Sequence, residues 1–198
     1  MTCLCLTYNR REWLPKAIEC FQRQTYPHRE LLIIADGADV KDLVDDSIRL
    51  IHIDGHPEIG EKRNFGCEHA RGSIIAHWDD DDYSAPERLG DQIARLNETG
   101  RAVTGYHSMR FTDGNKWWQF WSLEHRACGT SLMYRRDWWE RHRFPPKQIQ
   151  EDVDFVQEAY LAGELISVDA KNLMYATIHL GNTSPRPLRP PQWVEIPA

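Results

Sequence analysis

The stretch IIAHWDDDDYSAPERL, residues 74–89, decides the reading of this chain. An apolar run from Ile74 to Trp78 meets four consecutive carboxylates, Asp79 to Asp82, and a helix start stands directly behind them. Four adjacent acids at the end of a buried strand repel one another, and surroundings of low dielectric strengthen each like-charge term. A hard divalent cation relieves that repulsion. Mg2+ and Mn2+ are commonly held by one or two carboxylates together with substrate phosphates. In extended backbone the side chains alternate, which predicts Asp79 and Asp81 on one side and Asp80 and Asp82 on the other. The plainer reading is a solvated acidic turn, and the apolar strand ahead of the acids weighs against it.

Working outward, Thr2 to Leu6 reads as a first strand, and Asn9 with Glu12 as a capping box for a helix bearing Leu14, Ala17, Ile18 and Phe21. Leu31 to Ala35 is a short apolar strand ending in Asp36-Gly37, and Arg49 to Ile53 a third ending in Asp54-Gly55. Residues 60–71 have helical period and lead into the central strand. Behind the acids, Ser84 and Glu87 form a second capping box, Leu89, Ile93 and Leu96 a buried stripe, and Gly100 a stop. This alternation predicts an α/β fold, with a mostly parallel central sheet flanked by helices and ligands bound at the carboxyl ends of its strands.

Beyond Gly100 the pattern is less regular. Short strands are expected at Ala102 to His107, Ser108 to Thr112, Lys116 to Trp121 and Thr130 to Tyr134, and a short helix around Trp138 and Trp139. After Pro145-Pro146 a helix spans Asp152 to Ala162, with Val153, Val156 and Tyr160 as its apolar stripe. The tail, 184–198, holds five of the eleven prolines and is expected to run over the surface without forming an element.

With 198 residues and 41% hydrophobic content the chain can bury one sizeable core, so one domain is expected over 1–198. A net charge of -6 argues against non-specific binding to nucleic acid or anionic membrane. Cys3, Cys5, Cys20, Cys67 and Cys128 are odd in number and scattered, with no CxxC pair, so neither a disulfide framework nor a zinc site is indicated. No apolar stretch approaches the roughly 20 residues of a spanning helix, and the amino terminus lacks a signal-peptide pattern. A cytoplasmic location follows as the expectation.

Four stretches together resemble the family 2 glycosyltransferases, which have the nucleotide-diphospho-sugar transferase fold called GT-A. LTYNR at 6–10 is similar to the family's first loop, which implies donor contacts for Thr7, Tyr8 and Arg10. IIADG at 33–37 is similar to its second strand, whose closing Asp, here Asp36, binds the nucleobase. GEKRNFGCEHARGSIIAHWDDDD at 60–82 resembles the stretch with a basic residue near the diphosphate, here Arg63, followed by a D-x-D metal motif. The resemblance assigns Asp79 and Asp80 to the donor, and Asp81 with Asp79 to the metal, Mn2+ or Mg2+. QEDVDF at 150–155 resembles the E-D motif near the acceptor, implying Glu151 beside a catalytic base, Asp152. His179 is similar to a carboxy-terminal His that reaches the metal or the diphosphate in some members.

The implied enzyme is an inverting, metal-dependent transferase that moves a sugar from a nucleotide diphosphate, a UDP-sugar, to an acceptor hydroxyl. Its Rossmann-like nucleotide-binding half would be 1–100 and its irregular acceptor half 101–183. The large carboxy-terminal acceptor domain or membrane span of many relatives is not expected in this chain, and the resemblance does not carry over an acceptor identity. Two local features speak to it. Trp117, Trp118, Phe120 and Trp121 could stack on sugar rings or bases, or be a strand buried on both faces. Arg135, Arg136, Arg141, Arg143 and Lys147 could meet an anionic or polymeric acceptor (glycan, protein or nucleic acid), or be a solvated helix face. The rival readings are a nucleotidyltransferase on the same fold and an inactive sugar- or nucleotide-binding module. The Gly-rich basic loop of the former is absent from LTYNRREW, and the presence of both Asp81 and Asp152 weighs against the latter.

Overall fold

Apolar runs without polar alternation suit strands covered on both faces, and three of them form the centre of the sheet. In the computed structural model, which describes residues 1–184 and 188–197, these are β1 (Thr2–Tyr8), β2 (Glu30–Asp36) and β4 (Ile74–His77). They run with α1 (Leu14–Gln22), β3 (Arg49–His52), α2 (Ile59–His69), β5 (Tyr83–Ser84) and α3 (Arg88–Thr99). Then come β6 (Val103–Thr112), β7 (Trp117–Trp121), β8 (Met133–Arg135), α4 (Arg136–Arg141), α5 (Glu151–Leu161), β9 (Leu165–Asp169), β10 (Met174–Thr177) and β11 (Trp193–Ile196).

The sheet is mixed, in the order β11-β7-β6-β8-β4-β1-β2-β3. Its β3-β2-β1-β4 part is wholly parallel, β8 enters antiparallel between β4 and β6, and β9 and β10 pair parallel with β6. Successive strand residues feed opposite faces. Cys3, Cys5, Leu31, Ile33, Ile74 and Ala76 pack with α1 and α3, whereas Leu4, Leu32, Ile34 and Ile75 pack with Cys67, Trp138, Trp139 and Phe155 from α2, α4 and α5. The α/β architecture with a parallel part of the sheet flanked by helices is therefore as expected, and β1, β2 and β4 all point their carboxyl ends to one edge.

Several local expectations are corrected. Asn9 does not cap α1; it sits at φ 52 and its Oδ1 accepts the Ala38 N–H at 2.8 Å, so it ties the first loop to the one after β2. Ser84 belongs to β5, opposite Met174, and its hydroxyl accepts from Arg88. A capping box does occur at α2, between Glu58 and Glu61. The two strands expected over 102–112 are the single β6, whose pairing with β9 shifts register between Tyr106 and Ser108. The buried face of α5 is Glu151, Phe155, Val156 and Ala159, with Tyr160 exposed. The proline-rich tail does form an element: β11 pairs antiparallel with β7 and places Trp193 opposite Phe120. Burial of Trp193 against Phe111 and Phe120 holds this edge strand, whose four residues, WVEI, include none of the tail's prolines. Pro185, Arg186, Pro187 and Ala198 lie outside the described residues.

Candidate active site

The chain leaves β4 at His77. Trp78 turns into the core, where its Nε1–H donates to the Ala17 carbonyl at 3.0 Å. Backbone alternation ends with it, so the expected two-by-two division of the acids does not hold. Asp79, Asp81 and Asp82 each offer an oxygen within 4.8 Å of the others. Asp80 is not one of that group; it accepts from Thr7 Oγ1 at 2.7 Å and from Arg10 Nη1 at 3.2 Å, a donor it shares with Asp81.

Asp81 and Asp82 are held from different parts of the fold. Asp81 accepts from Arg10 at 3.1 Å, His179 Nε2 at 2.8 Å and Asn182 Nδ2 at 3.3 Å. Asp82 accepts from the Thr130 hydroxyl and from the Thr177 N–H at 2.9 Å. Burial pushes the Asp80 carboxyl up to about 7, aided by the Asp81 charge and opposed by Arg10. Burial and Asp79 raise Asp81, and burial with Asp81 and Asp79 raises Asp82 well above the carboxylate range. Three crowded carboxylates are a hard oxygen-donor set, which fits Mg2+ or Mn2+. His179 adds a nitrogen beside them. The Gly181 N–H donates to its Nδ1 at 3.1 Å, so Nε2 carries the proton given to Asp81. To ligate through Nε2 as a neutral imidazole, His179 would have to carry its proton on Nδ1 instead.

Two adjoining cavities meet at this loop. The first, about 480 Å³, is walled by Thr7, Tyr8, His56, Lys62, Asp80 and His179, among others. Asp36 lies beneath that wall, buried, and binds Lys62 Nζ at 2.9 and 3.1 Å as well as His56 Nδ1. The Tyr8 and His56 rings sit 3.8 Å apart above it. Lys62 is only 4% exposed along its side chain and Asp36 0%, so Lys62→Met would leave a buried carboxylate with His56 as its remaining ionisable partner. Breaking such a pair costs about 3 kcal/mol, and the urea midpoint of the variant is expected to fall accordingly. An unchanged midpoint would show that His56 alone satisfies Asp36.

The second cavity, about 490 Å³, shares Arg10, Arg63 and Asp79 with the first and contains Glu151 and Asp152 at the start of α5. Arg63 is buried between the two cavities, and its Nε donates to Glu151 at 3.0 Å. Burial and the Glu151 charge push Asp152 up to about 6, opposed by Arg63.

Other candidate residues fall elsewhere. Trp118 is in the core, Trp121 is exposed and Trp117 packs on Tyr175 at 4.9 Å; none of the three lines either cavity, whereas Phe120 and Trp193 line the second. Arg135 pairs with Ile74 at the start of β4, the sheet edge opposite the acids, and donates to the Leu96 and Arg101 carbonyls. Arg136 donates to Ala70 O. Arg143 and Lys147 are paired with Glu68 and Asp154. Besides Arg10 and Arg63, the second cavity is lined by Arg126, whose side chain has no carboxylate partner among the described residues.

Sequence reasoning missed Lys62, His56, Thr130 and Arg126. For Lys62 a signal existed: Gly60, Gly66 and Cys67 are buried with it, and small residues on a helix mark where the backbone lies close to its neighbours. A Cβ on Gly66 would fall 2.3 Å from Leu4. Nothing local marks the other three.

Residues 3–159 match the model of glycosyl transferase family 2. The putative glycosyltransferase EpsH of Bacillus subtilis is 26% identical over 210 residues, covering 90% of this chain and 61% of that protein. The succinoglycan biosynthesis protein ExoO of Rhizobium meliloti is 32% identical over 109 residues, 52% of this chain and 31% of its own length. Among solved structures, S. aureus TarS 1–349 in complex with UDP-GlcNAc superposes with a TM-score of 0.76 at 19% identity, over 92% of this chain and 59% of that one. The mannosyltransferase PcManGT from Pyrobaculum calidifontis, in complex with GDP-Man and Mn2+, gives 0.70 at 14% identity, over 89% and 56%. These likenesses show a shared GT-A fold, and the chain spans about three fifths of the length of EpsH and of the TarS fragment. The family model covers most of the chain, including the acidic loop and the start of α5, and on that match the chain belongs to glycosyl transferase family 2.

Proposed function

We propose that this chain is an inverting, divalent-metal-dependent glycosyltransferase that moves a sugar from a nucleotide diphosphate sugar to an acceptor hydroxyl. The observation that carries it is the meeting of the two cavities, with the carboxylate cluster at their junction and Asp152 on the far side of Arg63. Tyr8, His56 and Lys62, backed by Asp36, take the nucleobase and ribose end. Thr7 and Asp80 hold Arg10 and the acidic loop together, and Arg10 and Arg63 face the diphosphate. Asp79, Asp81 and Asp82, with His179 beside them, would hold a divalent cation, which would supply positive charge to the diphosphate oxygens.

Asp152 accepts the acceptor's hydroxyl proton as that oxygen bonds to the anomeric carbon. The bond to the diphosphate oxygen breaks with its electron pair leaving on the nucleotide. Attack from the side opposite the leaving group inverts the anomeric centre, through a transition state of oxocarbenium character. UDP-sugars are the first donors to try, since the TarS structure holds UDP-GlcNAc. A panel of UDP- and GDP-sugars with Mn2+ or Mg2+, scored by thermal shift and by release of free nucleotide diphosphate, tests the reading. Binding without turnover under every condition would favour a binding module.

For the acceptor, the basic segment 135–147 gives way to Arg126 at the second cavity, beside Phe120 and Trp193. An anionic acceptor, free or polymeric, fits that wall. Arg126→Gln, or raised salt, is then expected to increase the acceptor KM several-fold and leave the donor KM unchanged. A neutral acceptor used with no salt effect would contradict it. No helix among the described residues is long and apolar enough to cross a membrane, and Cys3, Cys5, Cys20 and Cys67 are buried thiols outside any disulfide, which suits a reducing compartment, so we propose the cytoplasm as the chain's location.

A further inference from the structure

Gly129 occupies a place where a side chain does not fit. A Cβ on it would lie 2.0 Å from Asp152 Oδ2 and 2.7 Å from Asp152 Cγ, so the carboxylate rests directly against the Gly129 backbone. Its φ is outside the left-handed region. Space, and not backbone freedom, is what glycine provides here.

That backbone is itself pinned. Gly129 opens a single 3-10 turn, Gly129–Ser131, and its carbonyl accepts from His77 Nδ1 at 2.6 Å. A carbonyl can only accept, so Nδ1 carries the proton and Nε2 accepts from the Tyr134 hydroxyl at 3.2 Å. The Cys67 thiol completes the chain at 3.2 Å from the same hydroxyl. Burial, with the nearby Arg63 charge, keeps the imidazole neutral. From above, Arg88 donates to both the His77 and Thr130 carbonyls, at 3.0 and 3.2 Å, and Gln92 donates to the Ser131 carbonyl at 2.7 Å. The next residue, Thr130, gives its hydroxyl to Asp82. One clamped turn thus touches the candidate base on one side and the acidic cluster on the other.

We propose that Gly129 sets the direction of the Asp152 carboxylate and that His77, through the Gly129 carbonyl, holds that setting; both are positioning residues. The inference rests on the reading of Asp152 as the base. Gly129→Ala forces the carboxylate off the turn, and because Asp152 is half-buried beside an open cavity it can swing toward water without unpacking the core. Misplacement of a reacting group by about 1 Å lowers rate on the order of 10²-fold, so kcat is expected to fall by about that factor with the donor KM unchanged and the Tm near wild type.

Carbon-13 titration of the aspartate carboxyls supplies a readout that needs no turnover. The groups facing Asp152 are Glu151 on its own helix and Arg63 on α2, and both stay in place in the variant. The Asp152 midpoint, about 6 in the native arrangement, is expected to drop toward the ordinary value of about 3.9 as burial is lost. His77→Asn retains a donor near the Nδ1 position and should keep more activity than His77→Leu. A Gly129→Ala variant with native kcat and an unmoved Asp152 midpoint overturns the proposal. If the wild-type chain turns over no nucleotide sugar at all, the transferase reading fails, and the carboxyl titration alone decides the role of Gly129.

Discussion

Asp152→Asn is expected to lower sugar transfer by about 10² to 10⁴ while donor and metal affinity stay near wild type. The amide keeps the size of the carboxyl and can still accept the Val153 N–H, which meets Asp152 Oδ1 at 2.9 Å, but it cannot take a proton from a hydroxyl. The alternative account is that Glu151, Asp152 and Asp154 merely complement the positive end of α5. Each is then worth only about 0.3 to 1 kcal/mol of stability, and the replacement would move Tm slightly and turnover hardly at all. The pH profile separates the two further. Asp152 acts as a base only when ionised, and burial beside Glu151 has raised it to about 6, so kcat should climb with pH through that region and level off above it. In Asp152→Asn that ascending limb should vanish from whatever activity remains. Glu151→Gln is the companion measurement. It keeps an acceptor for Arg63 Nε but removes the charge facing a buried guanidinium, so its expected loss is in stability and donor binding more than in kcat. Equal effects of the two variants on kcat, or weakened donor binding in Asp152→Asn, would remove Asp152 as the base.

Asp81→Asn should abolish the metal-dependent part of nucleotide binding. With Mn2+ present and nucleoside diphosphate at about 100 times its Kd, the wild-type chain should gain about 2.7 kcal/mol of stability from mass action. Chelator, or the Asn replacement, is expected to remove that gain. Without ligand the variant should be as stable as wild type or more so. Burial and Asp79 raise the Asp81 carboxyl, which means that its charged form is disfavoured in the folded state, and a neutral amide relieves it. His179, Arg10 and Asn182 all donate to Asp81, and an amide oxygen can still accept from them. If nucleoside diphosphate stabilises the protein equally with chelator and in Asp81→Asn, no cation at this cluster takes part in binding.

What the sequence by itself determined is the layer plan and the order of the chemistry along it. Unbroken apolar runs at 31–35 and 74–78 could only be covered strands, and the acids that follow each of them therefore fell at the carboxyl edge of a parallel sheet. Asp36 and Asp79 to Asp82 could be placed at that edge for this reason, and Asp152 at the start of a helix, because junctions of element and loop are marked in local sequence; the roles expected of them came from the resemblance to a family. What the tertiary structure alone decided is which groups face each other across that edge. Lys62 reads as one more helix charge until α2 packs on β1 and β2 and brings it to Asp36, 26 residues away in sequence. Thr130 and the Thr177 N–H reach Asp82 across 48 and 95 residues. The basic run at 135–147 reads as an anion site until β8, entering antiparallel, carries Arg135 to the far edge of the sheet. Even the pairing of the four acids depended on it, because the strand stops at His77 and the burial of Trp78 sets how the next residues turn. Period and capping act over a few residues. Partners that converge from distant strands and loops are chosen by strand order and packing, which no local pattern encodes.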